Sequence, residues 1–259
     1  MMMFCSLFLA ASAWADAAGD QLAQRVYDRP KGKDATSALI MTLTEKGRSP
    51  RVRKMITYRK DDKASEVGTL IRFTEPADIE GTGLLTIDLA DGDSNQWIYL
   101  PAMERVRRID SNRKGGRFVN SDYYYEDLRD RKVNMDTHRI IGRENIGSVA
   151  CEILESIPVK PGNSVYTRRI SWIDTTTLLP LRIDFFEKRE DQPSKRLLVT
   201  KREKIQAYWT AMDSTLTDLG NEHQTRLTVE KIVYDRRLPA RLFSTQLLED
   251  ESAEEAYRP

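Results

Sequence analysis

Asn95-Gln-Trp-Ile-Tyr-Leu-Pro101, Arg105-Val-Arg-Arg-Ile109 and Ser121-Asp-Tyr-Tyr-Tyr-Glu-Asp-Leu128 fall within residues 95–131 of this 259-residue chain. Strand alternation puts Trp97 and Tyr99 on one face and Gln96, Ile98 and Leu100 on the other. Pro101 turns the chain, and a second strand carries Arg105, Val106, Arg107, Arg108 and Ile109. Gly115-Gly116 marks a flexible loop tip between the basic strand and the tyrosines. Aromatics, arginines and carboxylates at this density suit a surface that takes an apolar guest with a polar end. They also fit an ordinary hairpin closing on its own aromatic core.

The chain on either side alternates in the same way. Leu39, Met41 and Leu43 share a face; so do Val52, Ile56 and Tyr58, then Val67, Ile71 and Phe73, then Leu85, Ile87 and Leu89. Beyond residue 137 the pattern resumes through 137–143, 149–157, 164–174, 180–187, one long run at 196–212, and 225–234. Short turns between consecutive strands predict an antiparallel meander. The expectation is a mainly β protein of about eleven strands with two or three short helices. A sheet that long must curl, split or close. With 40% apolar and 31% charged residues, the chain is too polar to bury both faces of every strand, which favours a sheet with one wet face.

At the N-terminus, residues 1–15 are uncharged and end in Ala13-Trp-Ala15 before Asp16. That pattern predicts a cleavable signal peptide, cut after Ala15, and export to the periplasm. The apolar run is shorter than the ~20 residues that span a bilayer, so the mature chain, residues 16–259, is expected to be one domain without a transmembrane segment. A short helix follows, capped by Asp20, with Leu22, Ala23 and Val26 on one face and Pro30 and Gly32 at its end. A second short helix is expected at 241–248, and the acidic tail at 249–259 is expected to be loose.

Lysines and arginines number 41 and acids 40, which argues against a nucleic-acid partner. Enzymatic signals are thin. His138 and His223 are the two histidines, Cys151 is the single cysteine past residue 15, and no nucleophile elbow, phosphate loop or CxxC occurs. No catalytic residue, metal or cofactor is assigned. Cys151 alternates with Val149 and Ile153 and reads as a buried structural thiol.

The three quoted motifs, together with Tyr166-Thr-Arg-Arg-Ile-Ser-Trp-Ile-Asp174 and Thr225-Arg-Leu-Thr-Val-Glu230, resemble the periplasmic outer-membrane lipoprotein-sorting family. This is the LolA-like group, in particular the branch found beside RND-type (MMPL) lipid exporters. The likeness runs in order over nearly all of residues 16–259. One departure is Asn120, where the branch usually has glycine; asparagine tolerates a positive φ better than most residues. No residue here aligns with the arginine that latches the cavity of classical lipoprotein carriers, so that role is not carried over.

The resemblance implies a half-open β-barrel lidded by short helices around an apolar cavity. It also implies a carrier of lipid or lipoprotein acyl chains, working toward the outer membrane with an RND/MMPL-type inner-membrane transporter. An acyl chain of about sixteen carbons loses roughly 12 kcal/mol on entering water, so such a molecule needs a cavity to travel in. Candidate lining residues are Ile56, Phe73, Trp97, Tyr99, Tyr123, Tyr124, Tyr125, Trp172 and Phe185. Arg105, Arg107, Arg108 and Arg117 are candidates for gripping a head group or a partner. The alternative function is a non-catalytic periplasmic adaptor that binds a transporter or envelope protein and carries no lipid.

Overall fold

The computed structural model describes residues 11–62, 66–188 and 191–259, with the backbone alone at 11–16 and 62. The first meander comprises β1 (Asp34–Thr44), β2 (Arg51–Asp62), β3 (Glu66–Glu75), β4 (Gly83–Asp88), β5 (Ser94–Leu100) and β6 (Arg105–Arg108). The second comprises β7 (Asp136–Ile146), β8 (Val149–Pro158), β9 (Arg168–Asp174), β10 (Pro180–Phe186), β11 (Lys195–Ile205), β12 (Tyr208–Asp218) and β13 (His223–Tyr234). All pairings are antiparallel, and β1 pairs with β13 to fuse the meanders into one sheet with β6 and β7 at its edges. Strand twist accumulated over so many strands curls the sheet without closing it, giving the half-open barrel.

The described residues form thirteen strands where the sequence predicts about eleven. The run at 196–212 is two strands, β11 and β12, folded back at Gln206 and Ala207 with Ile205 opposite Tyr208. Gln206 takes a positive φ of 53°. That turn contains no glycine, proline or asparagine, so it carries none of the usual sequence signals.

One face of the sheet carries Met41, Leu43, Met55, Ile71, Phe73 and Leu84. The register continues this face across β13 at Thr225 and Leu227, β12 at Leu216, β11 at Leu197 and β10 at Ile183 and Phe185. The chain that joins the two edge strands, residues 109–135, crosses this face as a strap. The helix α1 (Ala11–Tyr27) lies beside it, packing Leu22, Ala23 and Val26 against Leu154 and Ile173. It begins ahead of Asp20, which is therefore not its cap, and it spans the expected junction after Ala15; residues 1–10 lie outside the described residues.

The opposite face of β2–β5 is buried as well. Ile56, Tyr58, Leu70, Leu85, Ile87, Trp97 and Tyr99 lie beneath Leu238, Leu242, Phe243 and the helix α2 (Thr245–Glu249). The acidic tail is not loose: residues Glu251–Tyr257 form a 3-10 helix that drives Glu254 onto Arg72 at 2.7 Å, the pair 0% and 1% exposed. The helical cover is thus shared between the faces, with α1 on one and the C-terminal turns on the other. Over β10–β13 the far face stays wet, and charges pair across strands there: Arg182 and Arg196 with Asp184, Arg226 with Asp213. The wet-face expectation therefore holds over β10–β13, while the far face of β8 and β9 buries Cys151 and Trp172. In the first meander, β4 is buried along nearly its whole length.

Candidate functional site

Residues 109–135 have no long periodic run, and they fold as a chain of single 3-10 turns at Ser111–Arg113, Phe118–Asn120, Tyr125–Leu128 and Val133–Met135. Val119 and Asn120 are both left-handed, with φ of 45° and 60°. Asn120 thus supplies the conformation that a glycine would otherwise provide, whereas Val119, β-branched, is strained there. Gly115 and Gly116 are not a free tip, since a Cβ on Gly115 would lie 2.9 Å from the Val165 side chain.

The strap is stitched to strands on both sides of the sheet. Arg53 on β2 donates to the Val119 carbonyl at 2.6 Å, and Gln96 on β5 donates to the Tyr125 carbonyl at 2.9 Å. The Asp130 amide donates to Asp88 on β4 at 2.9 Å. From the other meander, Lys195 on β11 donates to the Asp122 carbonyl at 2.7 Å. Thr225 and His223 on β13 reach the Asp122 carboxylate at 2.7 Å each. Arg131 of the strap and Arg169 of β9 share Asp136 at 2.7 and 2.5 Å. Glu126 accepts from the Val165 amide at 2.7 Å and from the Ser164 hydroxyl.

Aromatic rings fill the space beneath. Phe118, fully buried, lies between Phe73 at 5.7 Å and Tyr125 at 5.9 Å, centroid to centroid. A second stack runs Tyr124, Tyr166 and Phe185 at 6.0 and 4.8 Å, with Tyr123 packed beside it. The Lys195 ammonium sits 2.8 Å from the centre of the Tyr124 ring. Asp127 accepts from the Tyr124 amide at 2.7 Å and from the Tyr166 hydroxyl at 2.9 Å, and lies 3.9 Å from Lys195. Burial dominates both titrations: the Asp127 carboxyl is pushed up to about 6 and the Lys195 ammonium down to about 8, each opposed by the other's charge.

Of the residues singled out from sequence, Phe73, Tyr123, Tyr124, Tyr125 and Phe185 meet on the strap's face, in two neighbouring clusters. Ile56, Trp97 and Tyr99 lie on the opposite face under the C-terminal turns. Trp172 is also on that far side, beneath the Arg182 guanidinium at 4.0 Å and donating to Glu144 at 2.7 Å. Arg105, Arg107 and Arg108 are exposed along the edge strand β6, and Arg117 bonds Asp218 across the sheet. Lys195, Asp127, Asp122 and His223 were missed as a group. They lie about a hundred positions apart in places, and only the β1–β13 closure and the strap bring them together.

Two pockets, of about 690 and 580 Å³, flank the strap's face, and charged and polar side chains predominate in their lining. The aromatic region between them is filled by the strap itself. Cys151 is buried, and His138 packs between Ser156 and the Val133 carbonyl. Among the described residues there is no group of histidines, cysteines and acids that could hold a metal, and no helix is long and apolar enough to cross a membrane.

A family model described as that of an uncharacterized protein matches residues 65–250. No curated protein matches the sequence. Among solved structures, a DUF1329 family protein from Desulfovibrio piger is 30% identical with a TM-score of 0.85, over 90% of this chain and 99% of its own. A domain from Vibrio parahaemolyticus, described as an outer-membrane lipoprotein-sorting protein domain, is 27% identical with a TM-score of 0.85 over the same shares. A LolA superfamily protein from Nitrosomonas europaea is similar in fold, with a TM-score of 0.68 at 13% identity over 90% of this chain and 98% of its own.

Proposed function

The chain belongs to the DUF1329 family and is LolA-like, and from that premise we propose that it is a non-catalytic periplasmic carrier of lipid or lipoprotein acyl chains. The observation that carries this reading is the cover on the strap's face. An open sheet normally protects so much apolar surface with a second sheet or a row of helices. Here much of it is covered by one irregular segment, held at its ends and flanks mainly by hydrogen bonds and ion pairs. Lifting that segment exposes a floor with Met41, Met55, Ile71 and Phe73 in one apolar patch and Phe185 and Leu216 in a neighbouring one.

An acyl chain laid on this floor replaces Phe118 as the ring partner of Phe73, so the hollow is opened by its guest. Phe73, Tyr123, Tyr124, Tyr125 and Phe185 are the lining in this reading, while Ile56, Trp97, Tyr99 and Trp172 serve the cores of the far face. A signal peptide cut after Ala15 delivers the chain to the periplasm, and an RND/MMPL-type transporter supplies the cargo. The deciding measurement is mass spectrometry of a lipid extract from the purified protein. One lipid per chain is expected. A lipid-free protein that also fails to take up a fluorescent fatty acid overturns the reading.

A second reading, the lipid-free adaptor, draws on Arg105, Arg107 and Arg108, which stand exposed on an unpaired strand edge and could meet an acidic strand of a partner. Recovery of a transporter with a lipid-free chain would favour it.

A further inference from the structure

The pocket of about 690 Å³ lies where α1 ends and the chain enters β1, at the rim of the strap's face. Arg29, Lys31, Lys33 and Lys132 line it, and Arg59 stands close enough to Arg29 for the two charges to oppose each other. Three carboxylates line it too, and a fourth, Asp130, lies against it. Asp28 accepts from Gln24 at 2.7 Å, Asp61 holds Arg59 at 2.7 Å, and Glu66 is exposed at the rim. Asp130 is shared by the Tyr27 hydroxyl, Lys132 and Lys31. Those commitments leave Arg29 with the Val26 carbonyl at 3.2 Å and, among the described residues, no carboxylate bonded to it. Nε of Arg29 and Nη1 of Arg59 are buried with no hydrogen-bond partner, and the carboxylate whose charge reaches Lys33 is Asp235, which also accepts from the Lys33 amide at 2.7 Å.

A partly buried guanidinium is costly when its Nε has no hydrogen-bond partner and the carboxylate whose charge reaches it, Asp130, is bonded elsewhere, and arginine does not relieve the cost by losing its proton. The field at this pocket therefore favours an incoming anion. Four cations line one pocket, Lys31 and Lys132 meeting at Asp130 and Lys31 also lying 4.0 Å from Asp61, and so many donors suit an anion with three or more acceptor oxygens better than a two-oxygen carboxylate. We propose that this pocket binds a phosphate group, with Arg29, Lys31, Lys33 and Lys132 as its ligands. The group is either the head of a phospholipid or a free phosphate. The pocket includes Val67, the first of the row that runs through Ile71 to Phe73 on β3. A phospholipid seated here would thus point its tails along the floor beneath the strap; only this last extension rests on the carrier reading.

The test is a titration of the intact chain followed at the Nε–Hε resonance of Arg29. The probes are inorganic phosphate, a short-chain phosphatidic acid below its micelle concentration, and a diacylglycerol of the same chain length. Saturable shifts with both phosphate probes at similar affinity identify a free-phosphate site. A phosphatidic acid bound about tenfold tighter or more identifies a lipid head-group site. In either case Arg29→Gln weakens binding about tenfold, with Arg29→Lys intermediate. The proposal is overturned if neither phosphate probe shifts the resonance saturably, if diacylglycerol shifts it as strongly, or if a folded Arg29→Gln chain binds unchanged. Should Arg29→Gln fail to fold, the wild-type titration decides alone. A lipid-free protein that fails to take up a fluorescent fatty acid but still titrates with phosphate would overturn the carrier reading and leave this site standing.

Discussion

Asp127 and Lys195 are the residues at which the strap's cohesion depends on pH. The Asp127 carboxyl, raised by burial from 3.8 to about 6, binds its proton more tightly in the folded chain than in the unfolded one. Its contribution to stability is therefore full below pH ~4 and is lost as pH rises through about 6. The difference between 3.8 and about 6 corresponds to about 3 kcal/mol. Lys195, lowered to about 8, changes charge above that window and does not confuse it. Asp127→Asn should flatten the dependence of the urea midpoint on pH between 4.5 and 6.5, and an unchanged slope would refute the burial argument. None of this was legible from Glu126-Asp127 as a sequence pair. A carboxylate pair in so charged a chain is ordinary until Tyr166, Lys195 and the strap bury one member of it.

Among the elements, strands were legible wherever one face was dry. Trp97 and Tyr99 on one side and Gln96 and Ile98 on the other sit as alternation predicts, because the pleat has a period of two. Alternation cannot say which side faces a cavity, and Trp97, with Tyr99, lies away from Tyr123, Tyr124 and Tyr125 of the strap. A charge placed at Trp97 would therefore disturb the core under the C-terminal turns rather than the strap's face. Helix α1 shows a different limit. A glycine in mid-helix reads as a weakness of about 1 kcal/mol relative to alanine, yet Gly19 is where α1 touches the edge strand β7. A Cβ there would come within 2.4 Å of the His138 carbonyl oxygen, and backbone cannot step aside. Gly19→Ala should destabilise the protein by about 2 kcal/mol despite its better helix propensity, read as a lower denaturation midpoint. A midpoint equal to or above wild type would show that α1 does not dock so closely.

At the scale of the molecule, the two ends of the chain clamp the two faces, and the Arg72–Glu254 pair joins positions 182 residues apart. Arg72 also donates to the carbonyls of Gly81 at 2.6 Å and Leu248 at 2.9 Å, so its guanidinium is fully engaged. Glu254→Ala leaves that charge buried without a counter-ion and should cost about 3–5 kcal/mol in urea denaturation. A loss under 1 kcal/mol would mean that the tail contributes little to the first meander. Composition could not announce this contact, since a run of acids at a terminus ordinarily marks a solvated end. Overall curvature was likewise beyond local pattern: the number of strands required bending, while the β1–β13 junction put β6 and β7 at the edges, and the bend stays open because those edges do not pair.

That openness has a mechanical corollary. One continuous backbone runs from rim β6 to rim β7 like a string across a bow, tied to both arms along its length, so its position and the spread of the arms are coupled. If the proposed carrier takes its guest beneath the string, lifting it would let the arms relax, and occupancy would register at both rims. A receptor gripping either edge could then tell a laden molecule from an empty one without ever touching what it holds.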